Sequence, residues 1–208
     1  MSGGTATRYL YLARHGEARP DGNGLTEAGR RQAVLLGRRL ADRPITVVHH
    51  GPLPRAAQTA RLIGEQLRGT PLTVCEEAGD YVPHVPARAE LPDDCADFLL
   101  DYLADTTAEE RASGELLARQ ALARFTGPVP GEQERHELVV THNFLIAWLV
   151  RHATGGPDWR WLGLNHGNAA LTVIRYAPGR PSSVLAYNDT RHLPEEVRWT
   201  GFPPEVRI

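Results

Sequence analysis

Residues Arg8–Ala18 read RYLYLARHGEA. The first part, Arg8–Ala13, is short, apolar and aromatic, the composition of a buried strand. It runs directly into Arg14-His15-Gly16-Glu17 and then into the turn-forming segment Pro20–Gly24. Beyond that loop Thr26 is placed to cap a helix, with Ala33, Leu36 and Leu40 on one face and the arginines mostly off it. Pro44 stops the helix, and Ile45–Val48 is a second β-branched run. A strand, a polar loop, an amphipathic helix and another strand make the beginning of an α/β chain.

The pattern continues. A turn at His49–Pro54 leads to a helical period over Arg55–Leu67, and Leu72–Cys75 is a short third strand. Glu76–Pro92 holds Pro83, Pro86 and Pro92 among acidic and histidine side chains, so it is expected to be a loop. Asp94–Leu103 and Ala108–Phe125 read as helices, Thr126–Glu134 as a linker, Glu137–Thr141 as a strand and Phe144–Ala153 as a helix. Two further strands, Ala169–Tyr176 and Ser183–Tyr187, turn at Pro178-Gly179. Alternating strands and helices predict a mostly parallel central sheet covered on both faces, a three-layer α/β/α sandwich. Functional loops in such sheets lie beyond the carboxyl ends of the strands.

The 208 residues suit one domain, 1–208, with a tail at 194–208 that shows no period and is expected to pack loosely. All 23 basic residues are Arg. A chain without Lys has no lysine nucleophile, no Schiff base and no Walker-type phosphate lysine. A net charge of −2 gives no basic field for nucleic acid. Cys75 and Cys95 are too few for a disulfide framework or a four-cysteine zinc site, and suit a reduced, cytoplasmic setting. The greasiest stretch, Leu138–Val150, is interrupted by His142-Asn143 and is too short to span a bilayer, so no membrane association is expected.

Three strand ends carry one kind of chemistry. The first ends in Arg14-His15, the second leads across a turn to Arg55, and a later one ends in His142-Asn143. Two arginines and two histidines brought together suit a dianion, because the guanidinium matches phosphate in a bidentate way. The stretches LARHGEA (Leu12–Ala18), GLTEAGRRQA (Gly24–Ala33), PLPRAAQTA (Pro52–Ala60) and LVVTHN (Leu138–Asn143) resemble, in order and spacing, the histidine phosphatase superfamily, the phosphoglycerate-mutase-like proteins.

The resemblance implies a phosphoglycerate-mutase-like fold. It also implies a metal-independent phosphatase that needs no cofactor. His15 matches the family's nucleophile, Arg14 and Arg55 its phosphate-binding arginines, and His142 its second histidine. Asn143, following His142, is expected beside the phosphate. The family's proton donor is an acid in the loop after the third strand. Asp80 is chosen because Pro83 and Pro86 follow it as in a family segment, with Glu77 and Glu76 as fallbacks. The far nitrogen of His15 is expected to be held by a carbonyl near Gly16.

The sequence departs from the family at His50-Gly51, where Ser residues are common, and at Asn143, where Gly is common. The expected substrate is a small phosphorylated metabolite or a phosphoprotein, which the sequence does not choose between. Two other functions are consistent with the fold. A phosphoglycerate-type mutase would use the same residues, but this chain has only the short loop Glu76–Pro92 where known mutases carry a longer closing segment. A phosphate-binding module without catalysis is argued against by the complete set of reacting groups. The seven remaining histidines carry no metal spacing, and His49-His50 reads as a strand-exit pair.

Overall fold

The computed structural model describes residues 4–203, 205 and 207 of the chain. In chain order the elements are β1 (Thr5–Ala6), β2 (Arg8–Arg14), α1 (Glu27–Leu40), β3 (Val47–His50), α2 (Pro54–Gly64), β4 (Leu72–Val74), α3 (Ala96–Tyr102), α4 (Ala108–Phe125), β5 (Val129–Pro130), β6 (Arg135–Thr141), α5 (Asn143–Thr154), β7 (Leu171–Tyr176), β8 (Ser183–Asp189) and α6 (Glu195–Arg198). Six strands form the main sheet in the order β4-β3-β6-β2-β7-β8. The first four run parallel, and β7 and β8 are added antiparallel to their neighbours, so the sheet is mixed.

Alternation along the central strands builds two cores. Leu10 and Leu12 of β2 and Val139 of β6 face one side, under Phe125 of α4, Leu145 and Leu149 of α5, and Trp161. Tyr11 and Ala13 of β2 and Leu138 and Val140 of β6 face the other, under Leu36 and Leu40 of α1 and Ile63 of α2. Side chains two apart on a strand share a face, so these alternating apolar positions force a three-layer arrangement. Each fully buried Leu or Ile removes apolar area worth about 1.5–3 kcal/mol from water.

The topology creates the crevice. β2 is followed by α1 on one face and β6 by α5 on the other. The loops that leave these adjacent parallel strands therefore diverge at their carboxyl ends, where ligands sit in open α/β sheets.

Some boundaries differ from expectation. The second strand spans Val47–His50 and not Ile45–Val48, because register with β6 begins only at Val47↔Glu137. The linker Thr126–Glu134 contains β5, which pairs with β1 over two residues, too short a run to show a period. The loop Glu76–Pro92 contains two single turns of 3-10 helix, at Glu76–Ala78 and Arg88–Glu90.

The tail departs most. It was expected to be loose, but through Pro203 it is tied down. Val197 is buried, Gln32 Nε2 donates to Val197 O (2.7 Å) and to Thr200 Oγ1 (2.6 Å), and Asn168 N donates to Thr200 O (3.0 Å). The anchor is a buried glutamine in α1, remote in sequence from the tail. The expectation for Pro204, Val206 and Ile208 falls outside the described residues.

Candidate active site

Register alone brings the two central histidines together. Arg14 of β2 pairs with Thr141 of β6, so the next residues, His15 and His142, stand side by side. His15 N donates to Thr141 O at 2.9 Å, and the ring centroids lie 5.0 Å apart. Both rings are buried at the floor of a pocket of about 460 Å³ that Arg14, Asp80, Asn143 and Phe144 also line.

His15 Nδ1 donates to Gly16 O at 2.7 Å, as the sequence predicted, which leaves Nε2 as the nitrogen available to the pocket. Gly16 makes this turn possible. A Cβ there would lie 2.4 Å from Gly29 O, and one on Gly29 would lie 2.1 Å from Glu17 O. The two glycines let α1 close directly over the RHG turn. Thr26 caps that helix, its Oγ1 accepting from Gly29 N (3.0 Å) and donating to Glu17 Oε1 (2.7 Å).

The remaining motif residues are scaffold. Gln32 Oε1 accepts from Glu17 N (2.8 Å), Gln58 Oε1 from Leu25 N (2.7 Å), and Thr59 Oγ1 from Gly16 N (3.0 Å). Thr59 also donates to Arg55 O at 2.7 Å, which couples the nucleophile turn to the first turn of α2.

Arg55 sits in that first turn, where the helix dipole disfavours a cation. Asp80 compensates, with Arg55 Nη2 donating to its Oδ2 at 2.7 Å. The same carboxylate oxygen lies 3.4 Å from His142 Nδ1, a contact without hydrogen-bond geometry, so both His142 nitrogens lack a hydrogen-bond partner among the described residues. Glu77 lies elsewhere, held at 2.7 Å by Arg124. Of the three acids considered, Asp80 is the one that lines the pocket.

Asp80 reaches the pocket because Gly51 lets its loop pass. A Cβ on Gly51 would lie 2.3 Å from Ala78 O, the carbonyl that Thr141 Oγ1 holds at 2.7 Å. Gly51, part of the departure from the family at His50-Gly51, is thus a steric requirement of the acid loop.

Arg14 is half-buried. Its Nη1 donates to His166 O (2.6 Å) and Gly201 O (3.2 Å), and its Nε has no partner among the described residues. Asn143, expected beside the phosphate, also has a bracing role. Its Oδ1 accepts from His166 N at 2.8 Å, so the side chain braces the loop whose carbonyl holds Arg14, although the residue still lines the pocket. His142 is the N-cap of α5, which directs the free backbone N–H groups of that helix toward the same region.

Electrostatics favour neutral imidazoles and an anionic guest. Burial, then the neighbouring His142 and the two arginines, push His15 down to about 3, against the opposing bond to Gly16. Burial, then Arg55 and Arg14, push His142 down to about 3. A neutral His15 carries a lone pair, and half-buried Arg14, whose Nε has no partner among the described residues, gains from a dianion. Among the described residues no group of three or more His, Cys, Asp or Glu is placed to hold a metal ion.

Sequence reasoning missed the contribution of Gly201, Phe202 and Pro203, which line the pocket from the tail. It also missed Tyr102, Phe144 and Asn165. The tail has no period to signal its position, while the aromatics were assigned to helices without a direction. Cys95 is partly exposed and Cys75 is buried; both are free thiols.

A model of the histidine phosphatase superfamily (branch 1) matches residues 10–190. The mitochondrial serine/threonine-protein phosphatase Pgam5 of Caenorhabditis elegans is 30% identical over 196 residues, covering 91% of this chain and 66% of that protein. Its Caenorhabditis briggsae counterpart is 29% identical over 205 residues, covering 94% and 68%. The chain thus spans about two thirds of the length of these relatives. The solved structure of a phosphoglycerate mutase from Plasmodium falciparum superposes with a TM-score of 0.59 at 19% identity, covering 91% of this chain and 96% of that one. These relatives overturn the cytoplasmic setting, since both are mitochondrial proteins. Two free thiols do not distinguish one reducing compartment from another. No helix among the described residues is long and apolar enough to cross a membrane.

Proposed function

Because this chain belongs to the histidine phosphatase superfamily and is a phosphatase, we propose that it hydrolyses a phosphomonoester through a phosphohistidine formed on His15. The observation that carries the reading is the buried pair His15 and His142, ring centroids 5.0 Å apart, flanked by Arg14 and Arg55. Nε2 of His15 attacks phosphorus while the bond to the leaving oxygen breaks. Charge stays on the equatorial oxygens, so positioned cations supply most of the stabilisation. Arg14 and Arg55 are those cations, with the N–H of neutral His142 and the N-terminus of α5 adding hydrogen-bond donors.

Asp80 is the proton carrier in this scheme. In the resting site it is bound to Arg55. A bound dianion competes for that guanidinium and releases the carboxyl, which in its protonated form donates to the leaving oxygen. In the second step water attacks phosphorus, the N–P bond breaks, and Asp80 takes the proton from water.

The substrate is a phosphomonoester. The names of the worm relatives, serine/threonine-protein phosphatases, support a phosphoprotein as one class. The test is hydrolysis of an aryl phosphate by the wild type and by His15→Ala. Turnover in the wild type that disappears in the variant supports the reading; equal background rates in both overturn it.

A further inference from the structure

Tyr102, at the end of α3, and Phe144, in the first turn of α5, stand edge to face at 6.5 Å across the mouth of the His15 pocket. They divide what lies beyond the phosphate position into two branches. One, of about 400 Å³, is lined by Phe98, Leu99, Trp161, Leu162 and Pro203 besides the dividing pair, and no charged side chain lines it. The other contains Asp80, Asp105 and Glu110. The apolar branch is continuous with the His15 pocket, since both are lined by Tyr102, Asn143, Phe144, Asn165 and Pro203.

The branch is built of aromatic rings. Phe144 packs edge-on against buried Trp161 at 4.9 Å, which fixes its wall. Phe98 is 72% exposed and Tyr102 56% exposed, so two large rings stay largely in water beside the reacting centre. The arginines of the site, Arg14 and Arg55, are committed to the phosphate. A leaving group bearing a carboxylate would find no cation in the apolar branch and three acids in the other.

We infer that the branch bounded by Phe98, Tyr102, Phe144 and Trp161 is a leaving-group subsite for an uncharged, ring-bearing group esterified to the phosphate, and that it discriminates against esters whose leaving group is anionic, such as phosphoglycerate. The inference rests on the phosphomonoester reading of the His15 site. Burying one face of a ring against such a wall favours it, and anionic groups are disfavoured by the nearby acids.

The experiment compares kcat/KM for 2-phenylethyl phosphate and 3-phosphoglycerate. Both are alkyl esters, so leaving-group chemistry contributes little to the difference. The wild type is expected to prefer 2-phenylethyl phosphate by tenfold or more. Phe98 is exposed, so its replacement leaves the core intact; Phe98→Ala should lower that preference threefold or more, and Phe98→Arg should lower it further by favouring 3-phosphoglycerate. His15-dependent turnover with equal or reversed preference in the wild type overturns the subsite and leaves the phosphatase reading intact. A preference unmoved by both Phe98 variants also overturns it. Absence of any His15-dependent turnover overturns both.

Discussion

His15 and His142 are neighbours because the residues before them, Arg14 and Thr141, are register partners on adjacent parallel strands. The 5.0 Å spacing of their rings is thus set by the sheet and not by loop conformation. A site built on strand ends holds its geometry more tightly than one built on loops alone.

The acid is the one reacting group supplied by a loop. Asp80→Asn should therefore slow hydrolysis most for alkyl esters and least for activated aryl esters, whose leaving oxygen needs no proton. Glu77→Gln should change both rates little, because Glu77 bonds Arg124 and does not line the pocket. Rates for a matched series of leaving groups check this. Loss with Glu77→Gln and not with Asp80→Asn would move the assignment.

Gly51→Ala tests how the acid loop is seated. The new Cβ would stand 2.3 Å from the backbone oxygen of Ala78, which cannot swing away as a side chain can. We expect a stability loss of about 1–3 kcal/mol by urea unfolding. The activity loss should again be larger for poor leaving groups, since Asp80 follows Ala78 by two residues.

These two positions show where the sequence was legible and where it was not. Arg14, His15 and His142 sit at strand ends and Arg55 lies across a turn from one, so the apolar runs located all four. The sheet covered on both faces followed from the alternation of strands and helices along the chain. Asp80 lies in a segment with no period, where three acids compete. The Pro83 and Pro86 spacing pointed to Asp80, and the path of the loop past Gly51 brings Asp80, and not Glu77, to the pocket. The tail was illegible for a related reason. Its place is set by hydrogen bonds to Gln32 and Asn168 and by a carbonyl bonded to Arg14, contacts that leave no pattern in the sequence.

Gln32→Ala should expose that dependence. Gln32 is fully buried and bonds Glu17 N, Val197 O and Thr200 Oγ1. Its loss leaves these groups unpaired, at a cost of about 1–3 kcal/mol. A looser tail withdraws Gly201 O from Arg14 and frees one wall of the pocket. KM for a phosphomonoester should rise more than kcat falls. A KM equal to that of the wild type would show that the tail does not shape the site.

Acid should destabilise the protein in a defined window. His15, His142 and His166 are each pushed down to about 3, with burial the largest cause in each case. In the unfolded chain a histidine titrates near 6.5. Between those values the unfolded state binds more protons, so stability falls as pH drops from about 6.5 toward 3, by about 1.4 kcal/mol per pH unit for each group. Urea midpoints at pH 7.5, 6 and 5 check the sign; an unchanged midpoint would contradict neutral buried histidines. A phosphate dianion acts the other way, because its charge stabilises imidazolium. Binding of sulfate, a dianion with no proton to release near pH 7, should therefore take up protons, measurable by calorimetry in buffers of different ionisation enthalpy.

The central claim is that His15 becomes covalently phosphorylated during turnover. Rapid acid-free quenching during hydrolysis of an aryl phosphate, followed by peptide mass spectrometry under alkaline conditions, reads it directly. The expected result is a phosphoryl group on the peptide containing His15, formed within the first turnover and absent in His15→Ala. Steady turnover with no phosphorylated peptide, or with the phosphoryl group on His142, would contradict it.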